Sequence, residues 1–167
     1  LLIILAATGL IVGIVYFAQP VAFEKTFRGA LFTVVSIITT TGFVTDNYLI
    51  WPTSAWFILF LLMFIGGCAG STAGGIKVIR QILLFKNSLL ELKRLIHPKA
   101  IIPVRLNNKN VQQHIIYNIQ AFIIIYLITF AIGTLVMTGT GLDFTSAMGA
   151  TISSLGNIGP AFGVLGP

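Results

Sequence analysis

The chain has 167 residues; 56% of them are hydrophobic and only 8% carry a charge. A soluble domain usually contains about a quarter charged residues, so this composition excludes an ordinary soluble protein and indicates a few membrane-crossing helices. The net charge of +6 is compatible with nucleic acid or anionic lipid, and the single cysteine, Cys68, excludes an internal disulfide.

The first third of the chain predicts a membrane span followed by a half-helix. Residues 1–19 form an uncharged apolar run close to the roughly 20 residues that cross a bilayer, and Pro20 ends it. Residues 26–38 predict a helix too short to span, which leads into a turn of threonines and a glycine at residues 39–43. A second apolar run then extends over residues 53–65.

A glycine-rich block interrupts this second run. Half of its residues are glycine, and each glycine inside a helix costs about 1 kcal/mol relative to alanine. Non-helical backbone at membrane depth is tolerated only where it is buried in protein or lines an aqueous cavity. The sequence therefore predicts a broken helix that resumes over residues 76–96. The block consists of Gly66, Gly67, Cys68, Ala69, Gly70, Ser71, Thr72, Ala73, Gly74 and Gly75.

The residues alone leave two interpretations of this block open. It is either a flexible loop at membrane depth, with hydroxyls from Ser71 and Thr72, or a region of close helix packing through small residues at Gly-xxx-Gly spacing. Lys77, just after the block, either contacts it or extends to the cytoplasmic interface.

The positive charge is concentrated in one segment. Eight of the ten Lys and Arg residues lie between Lys77 and Lys109, against Glu91 alone. Because Lys and Arg concentrate in cytoplasmic connections of membrane proteins, we expect this segment to face the cytoplasm and not to bind nucleic acid. Beyond it, residues 115–136 predict another span, and residues 144–153 predict a second half-helix leading to a second glycine turn.

The unit of span, half-helix and glycine turn therefore occurs twice, with both turns opposite the basic segment. A half-helix that enters from outside directs its carbonyl end, which carries about half a negative charge, toward the membrane centre. A glycine in the turn lets successive carbonyls face one axis, as in potassium-channel filters. We expect potassium, and no other metal, to bind there. The candidate ligands are Thr40, Thr41, Gly42, Phe43, Ser154, Leu155, Gly156 and Asn157.

These motifs resemble the TrkH/KtrB family of potassium-uptake proteins, and its TrkH branch in particular. The resemblance extends over essentially the whole chain and is most specific in the glycine-rich block. It implies an all-α integral membrane fold, built from span–pore helix–span repeats with filter loops, in a pseudo-fourfold pore like that of potassium channels. The residues that carry the resemblance are 39–43, 63–80, 92–98 and 155–160.

The resemblance also implies how the chain is organised. Residues 1–96 would form the third repeat, residues 97–110 a cytoplasmic linker, and residues 111–167 the first part of the fourth repeat, so we expect a piece of a longer polypeptide. Gly42 and Gly156 would occupy the filter-glycine positions, which favours potassium over sodium. The block and Lys77 would form the family's intramembrane gating loop.

The expected function is potassium transport through a channel-like pore. The alternative is an alternating-access carrier, because broken helices also build transporter sites. The spans contain no carboxylate pair, His/Cys cluster or nucleophile arrangement, so we expect neither an enzyme nor a cofactor. The resemblance implies a multi-pass protein of the bacterial inner membrane that contacts lipid. It also implies a homodimer and a cytosolic nucleotide-binding regulatory subunit of the TrkA/KtrA type.

Overall fold

The computed structural model describes residues 1–19, 22–96, 103–106 and 109–166, and α-helices dominate these ranges. Two one-turn 3₁₀ helices, Tyr48–Ile50 and Gly163–Leu165, follow the two half-helices. In chain order the described helices are α1 (Leu2–Ala18), α2 (Phe23–Ile38), α3 (Thr53–Met63), α4 (Val78–Ile96), α5 (Gln113–Gly139) and α6 (Phe144–Gly156).

Two short strand pairs add to the helices that the sequence predicts. Strand β1 (Ile65–Gly66) pairs in parallel with β2 (Ile76–Lys77), on either side of the glycine-rich block. Strand β3 (Arg105–Leu106) pairs antiparallel with β4 (Lys109–Asn110) in the segment before α5. This segment belongs to the predicted linker, whose residues 97–102 and 107–108 lie outside the described residues.

The helices form two equivalent pairs, each with a longer helix packed against a half-helix. Helix α1 packs against α2, and α5 packs against α6. Most of the buried side chains belong to one apolar cluster, which joins the α1–α2 pair to α3 and α6 and includes the fully buried Ile11, Val34 and Ile152. Apolar packing thus fixes the half-helices along their sides, and their carboxyl ends are left to contact each other.

The lengths of the apolar helices differ from one another. Among the described helices, only α5 has both the length and the hydropathy of a membrane span; α1 and α3 are apolar but shorter. Helix α5 has 27 residues and is about 40 Å long at the rise of an α-helix. Its exposed isoleucines, including Ile125 and Ile128, suit contact with lipid. Helix α3 ends at Met63, as a broken span requires.

A second, smaller cluster lies at the other end of α5, in the basic part of the chain. Leu83 on α4 and Ile116 on α5 pack with Val104, so the chain before β3 contacts both helices. The Arg80 guanidinium lies 4.2 Å from the centroid of the Phe122 ring, a cation–π distance. The positively charged segment is therefore attached to the spans by packing as well as by the covalent chain.

The two ends of the molecule can be tested for their membrane side. Asn47, after α2, and Asn110, in β4, are both exposed. In a Cys68→Ser background, we expect Asn47→Cys to react with an impermeant thiol reagent in intact cells. We expect Asn110→Cys to react only after permeabilisation, because positively charged segments stay in the cytoplasm. Labelling of Asn110→Cys in intact cells would show that the predicted topology is wrong.

Candidate functional site

The first candidate turn is a helix C-cap with an unusual residue in it. Thr40 has a left-handed backbone with φ of 53°, and the Thr41 amide donates to the Ser36 carbonyl at 2.9 Å. This is the Schellman arrangement, in which the left-handed residue is usually glycine. A residue with a Cβ costs about 1–2 kcal/mol there, so the surrounding structure must hold the turn. Gly42 follows with φ of 78°.

The second turn repeats this geometry at the end of α6. Asn157 has φ of 52°, and the Ile158 amide donates to the Ser153 carbonyl at 2.9 Å. Gly159 follows with φ of 111°. Asparagine adopts the left-handed region more readily than threonine, because its short side chain can hydrogen-bond locally. The two half-helices therefore end in the same way, in an αL residue followed two positions later by a glycine.

Equivalent residues of the two turns are separated by the same number of positions in the sequence. The separation between Thr40 and Asn157 equals that between Gly42 and Gly159, so the counterpart of Gly42 is Gly159. The second turn was predicted at residues 154–157; in the structure α6 keeps its helical hydrogen bonds through Gly156, and the turn begins at Asn157. The interval follows from the backbone angles of the two turns; the sequence alone offered both Gly156 and Gly159 for the second turn. Three predicted ligands are thus helical: Ser154, Leu155 and Gly156.

The two turns contact each other through their backbones. A Cβ on Gly42 would lie 2.2 Å from the carbonyl oxygen of Ile158, a distance that real Cβ atoms do not adopt. A Cβ on Gly159 would in turn lie 3.8 Å from the Cα of Gly42. Glycine is therefore required at Gly42 by its positive φ and by the close approach of the second turn. Gly159 and Asn157 are both exposed to solvent next to this contact.

The backbone carbonyls of the first turn are not equivalent. The Ser36 hydroxyl donates to the Phe43 carbonyl at 2.7 Å, which turns that oxygen toward α2. Within the described residues, no hydrogen bond occupies the carbonyls of Thr40, Thr41 or Gly42. These three oxygens lie at the carbonyl end of α2, where the helix dipole favours a cation. Phe43, a predicted ligand, thus has its carbonyl engaged by Ser36.

Tyr48 joins the segments that follow the two turns. Its ring is buried, and its hydroxyl donates to the Ala161 carbonyl at 2.5 Å. The Trp56 indole nitrogen donates to the Tyr48 carbonyl at 2.8 Å, and the Phe162 ring packs edge-on against the tyrosine ring. Burial raises the pKa of Tyr48 to about 12, so the phenol remains a proton donor at any physiological pH.

The start of α6 is fixed by Asp143. Its carboxylate accepts hydrogen bonds from the Ser146 amide at 3.1 Å and from the Thr145 hydroxyl. Hydrogen bonds from Ser146 and Thr145 lower the pKa of Asp143 to about 2, so the carboxylate stays ionised at the positive end of the helix. Asp143 is therefore the N-cap residue of α6.

The glycine-rich block forms a closed loop between α3 and α4. The parallel pairing of β1 with β2 brings its two ends together, so the chain leaves the helix axis and returns to it. A Cβ on Gly66 would lie 2.2 Å from the Gly74 carbonyl oxygen, and Gly75 has φ of 74°. These contacts favour the loop interpretation over helix–helix packing, because the small residues let one part of the loop approach another.

Two side chains, one from β2 and one from the first turn of α4, hold this loop and the strand that follows it. The Lys77 ammonium donates to the carbonyls of Ala69 at 3.0 Å and Ser71 at 2.7 Å. The Gln81 amide donates to the Ile76 carbonyl at 3.1 Å. Hydrogen bonds from an ionised donor are roughly twice as strong as neutral ones, so the Lys77 contact dominates. Lys77 therefore contacts the block instead of extending to the interface.

The loop lies directly against the end of the second half-helix. A Cβ on Gly74 would lie 2.2 Å from the Gly156 carbonyl oxygen. Gly156 itself is buried, and a Cβ on it would lie 2.9 Å from the Ile158 side chain and 3.4 Å from the Met63 carbonyl oxygen. Gly156 thus contacts the loop through its carbonyl oxygen, and the glycine that this contact requires is Gly74. The exposed part of the loop comprises Cys68, Ala69, Gly70 and Thr72.

Comparison with known proteins identifies the same architecture. The family "TrkH: Cation transport protein" matches residues 2–166. The chain is 43% identical over 140 residues to the Trk system potassium uptake protein TrkH of Escherichia coli K12, covering 84% of this chain and 29% of that protein. It is 41% identical over 136 residues to the TrkH of Halomonas elongata, covering 81% and 28%. The chain thus spans less than a third of the length of these relatives.

A solved structure agrees over nearly the whole chain. The crystal structure of the potassium transporter TrkH from Vibrio parahaemolyticus superposes with a TM-score of 0.90 and 34% identity. The match covers 98% of this chain and 35% of that one. It confirms the predicted fold class, an all-α membrane protein. All three relatives are named for potassium uptake or transport, in agreement with the prediction of a transport protein and not an enzyme.

The Tyr48 hydrogen bond provides a test of the link between the two turns. We expect Tyr48→Phe to lower the free energy of unfolding by about 1–3 kcal/mol, because it leaves the buried Ala161 carbonyl unsatisfied. The measurement is thermal unfolding of the purified protein in detergent. Tyr16→Phe is the control, since Tyr16 is 49% exposed. Equal melting temperatures for both variants would contradict a stabilising role for the Tyr48 bond.

Proposed function

Because this chain belongs to the TrkH family of cation transport proteins, we propose that it forms part of a pore that conducts potassium across a membrane. The observation that carries the proposal is the pair of equivalent turns at the carbonyl ends of α2 and α6. The potassium-uptake names of its relatives support potassium as the ion. Two half-helices that direct carbonyl ends to one place favour a bound cation and disfavour an anion.

In this proposal the ligands are backbone oxygens of the two turns. A potassium ion entering the filter loses water, and the carbonyls of each turn replace its hydration shell. The first turn supplies Thr40, Thr41 and Gly42; the second supplies the stretch 157–159 in place of the predicted 154–157. Glycine at the third position lets the chain present its carbonyls at positive φ without a side chain between the two turns.

The loop of residues 66–75 is proposed as the gate. It contacts the end of α6 through Gly74, and its exposed tip is held by the Lys77 ammonium. A loop that lies below the filter and is fixed by two charge-assisted hydrogen bonds would obstruct the path until those bonds are released. Its many glycines allow the backbone to rearrange on release.

The remaining expectations are proposals of the same kind. We place residues 1–96 in one pore repeat and residues 111–167 in the next, with the basic segment between them in the cytoplasm. That segment would receive a nucleotide-binding regulatory subunit, and the complete protein would form a homodimer in the bacterial inner membrane. A saturable, slow potassium flux without channel-like currents would favour the alternating-access carrier instead.

The filter glycines give the first test. We expect Gly42→Ser and Gly159→Ser to reduce the preference for potassium over sodium about tenfold, since about 1.4 kcal/mol between the two ions suffices. A side chain at either position meets an unfavourable positive φ, and at Gly42 it also meets the Ile158 carbonyl. The measurement is growth and ion flux at low potassium, with and without competing sodium.

The control for this test is another glycine. Gly139→Ser should leave the ion preference unchanged, because no atom lies within 4 Å of a Cβ there. Gly156→Ser should alter gating or folding more than ion preference, because this residue faces the loop. If both filter variants kept the wild-type potassium preference at normal expression, the filter assignment would be wrong.

The Lys77 contact gives the second test. We expect Lys77→Met to raise unregulated potassium flux at least about tenfold, because two hydrogen bonds from an ionised donor each contribute about 1.5–3 kcal/mol. Deletion of residues 71–73 should act in the same direction. Lys86→Met is the matched control; Lys86 lies on α4, and its ammonium donates to the Arg105 carbonyl at 3.4 Å instead of to the loop. Wild-type flux and regulation in Lys77→Met would refute the gate; loss of expression in both loop variants would indicate packing.

A further inference from the structure

We infer that two buried serines, Ser36 and Ser153, are positioning residues that set the orientation of the filter backbone. The same sequence interval that joins the two filter glycines joins these serines, each on the last turn of its half-helix. Ser36 is 6% exposed and Ser153 is 4% exposed. This inference rests on the proposed filter. It adds two side chains that hold the proposed ligands in position.

The two serines bond their turns with opposite polarity. The Ser36 hydroxyl donates to a carbonyl, that of Phe43, at 2.7 Å. The Ser153 hydroxyl accepts from an amide, that of Gly159, at 3.0 Å. A hydroxyl is both donor and acceptor, so one residue type serves both purposes. Each bond turns one polar backbone group of the filter away from the ion path and toward the half-helix.

Loss of the two bonds should therefore have different consequences. Without the Ser36 hydroxyl, the Phe43 carbonyl is released and becomes an additional oxygen that can turn to the ions. Without the Ser153 hydroxyl, the Gly159 amide is released, and its N–H presents positive charge where the ion must pass. Removal of Ser36 should relax selectivity while flux is kept; removal of Ser153 should relax selectivity and reduce flux.

The hydroxyls are well suited to this task because neither turn is stable by itself. Thr40 and Asn157 both occupy left-handed backbone without being glycine. A Schellman bond to the carbonyl of each serine closes the helix end, and the serine hydroxyl adds a second bond to the chain beyond it. Each serine thus bonds its turn twice, once through the backbone and once through the side chain.

The test compares four variants of the native polypeptide in a potassium-uptake-deficient bacterial strain. We expect Ser36→Ala and Ser153→Ala to lower the potassium-to-sodium flux ratio about three- to tenfold, the change that corresponds to one net hydrogen bond. Only Ser153→Ala should also reduce the maximal potassium flux. Thr33→Val and Thr151→Val are the controls; they remove buried hydroxyls from the same half-helices without touching either turn.

The outcomes separate this inference from the proposed filter. If Gly42→Ser and Gly159→Ser change the flux ratio while both serine variants do not, the serines are structural only and the filter stands. If neither the two glycine variants nor the two serine variants change the flux ratio, the filter assignment itself fails. Should the alanine variants not accumulate, Ser36→Cys and Ser153→Cys preserve the shape with a weaker hydrogen bond. An unchanged flux ratio in these variants overturns the inference.

Discussion

The close contact of backbone with backbone at the ends of the two half-helices is the constraint on which the rest of the structure depends. Gly42 lies against the carbonyl of Ile158, and Gly74 lies against the carbonyl of Gly156. A Cβ at any of these contacts would separate the parts that meet there. The first contact joins the two turns, and the second joins the loop to the end of α6, so the proposed filter and the proposed gate are both held by backbone contacts at glycine residues.

Such contacts bring polar backbone groups together in a region that excludes water, and each group then needs a partner. The structure supplies those partners from side chains close by. Serines on α2 and α6 bond the turns, Lys77 in β2 bonds the loop, and Gln81 on α4 bonds the strand that ends the loop. The loop receives an ionised donor, which suits the proposed gate because such hydrogen bonds are strong. The turns receive neutral hydroxyls, which fix their geometry without adding charge to the proposed ion path.

The described chain repeats one unit, a helix packed against a half-helix with a turn at its carboxyl end. Two copies of the same helix pair present two copies of the same C-cap, with matching backbone angles at Thr40 and Asn157. Pseudo-symmetry of this kind lets equivalent carbonyls approach one axis. The turns differ in the hydrogen bond from the half-helix: the Ser36 hydroxyl donates to its turn, whereas the Ser153 hydroxyl accepts from its turn.

The sequence by itself determined the helical class, the break in the second span, the repeated unit and the concentration of positive charge between Lys77 and Lys109. These follow from composition, hydropathy and glycine content, which act locally. Only the tertiary structure decided which glycine belongs to the second turn. Gly156 and Gly159 lie close together in sequence, and the length of α6 distinguishes them through hydrogen bonds that no spacing reveals. The hydrogen bond of Tyr48 likewise depends on a contact between distant segments, because its hydroxyl reaches the Ala161 carbonyl. Ser36 and Ser153 bond residues only a few positions ahead, but the folded turns decide which hydroxyl donates and which accepts.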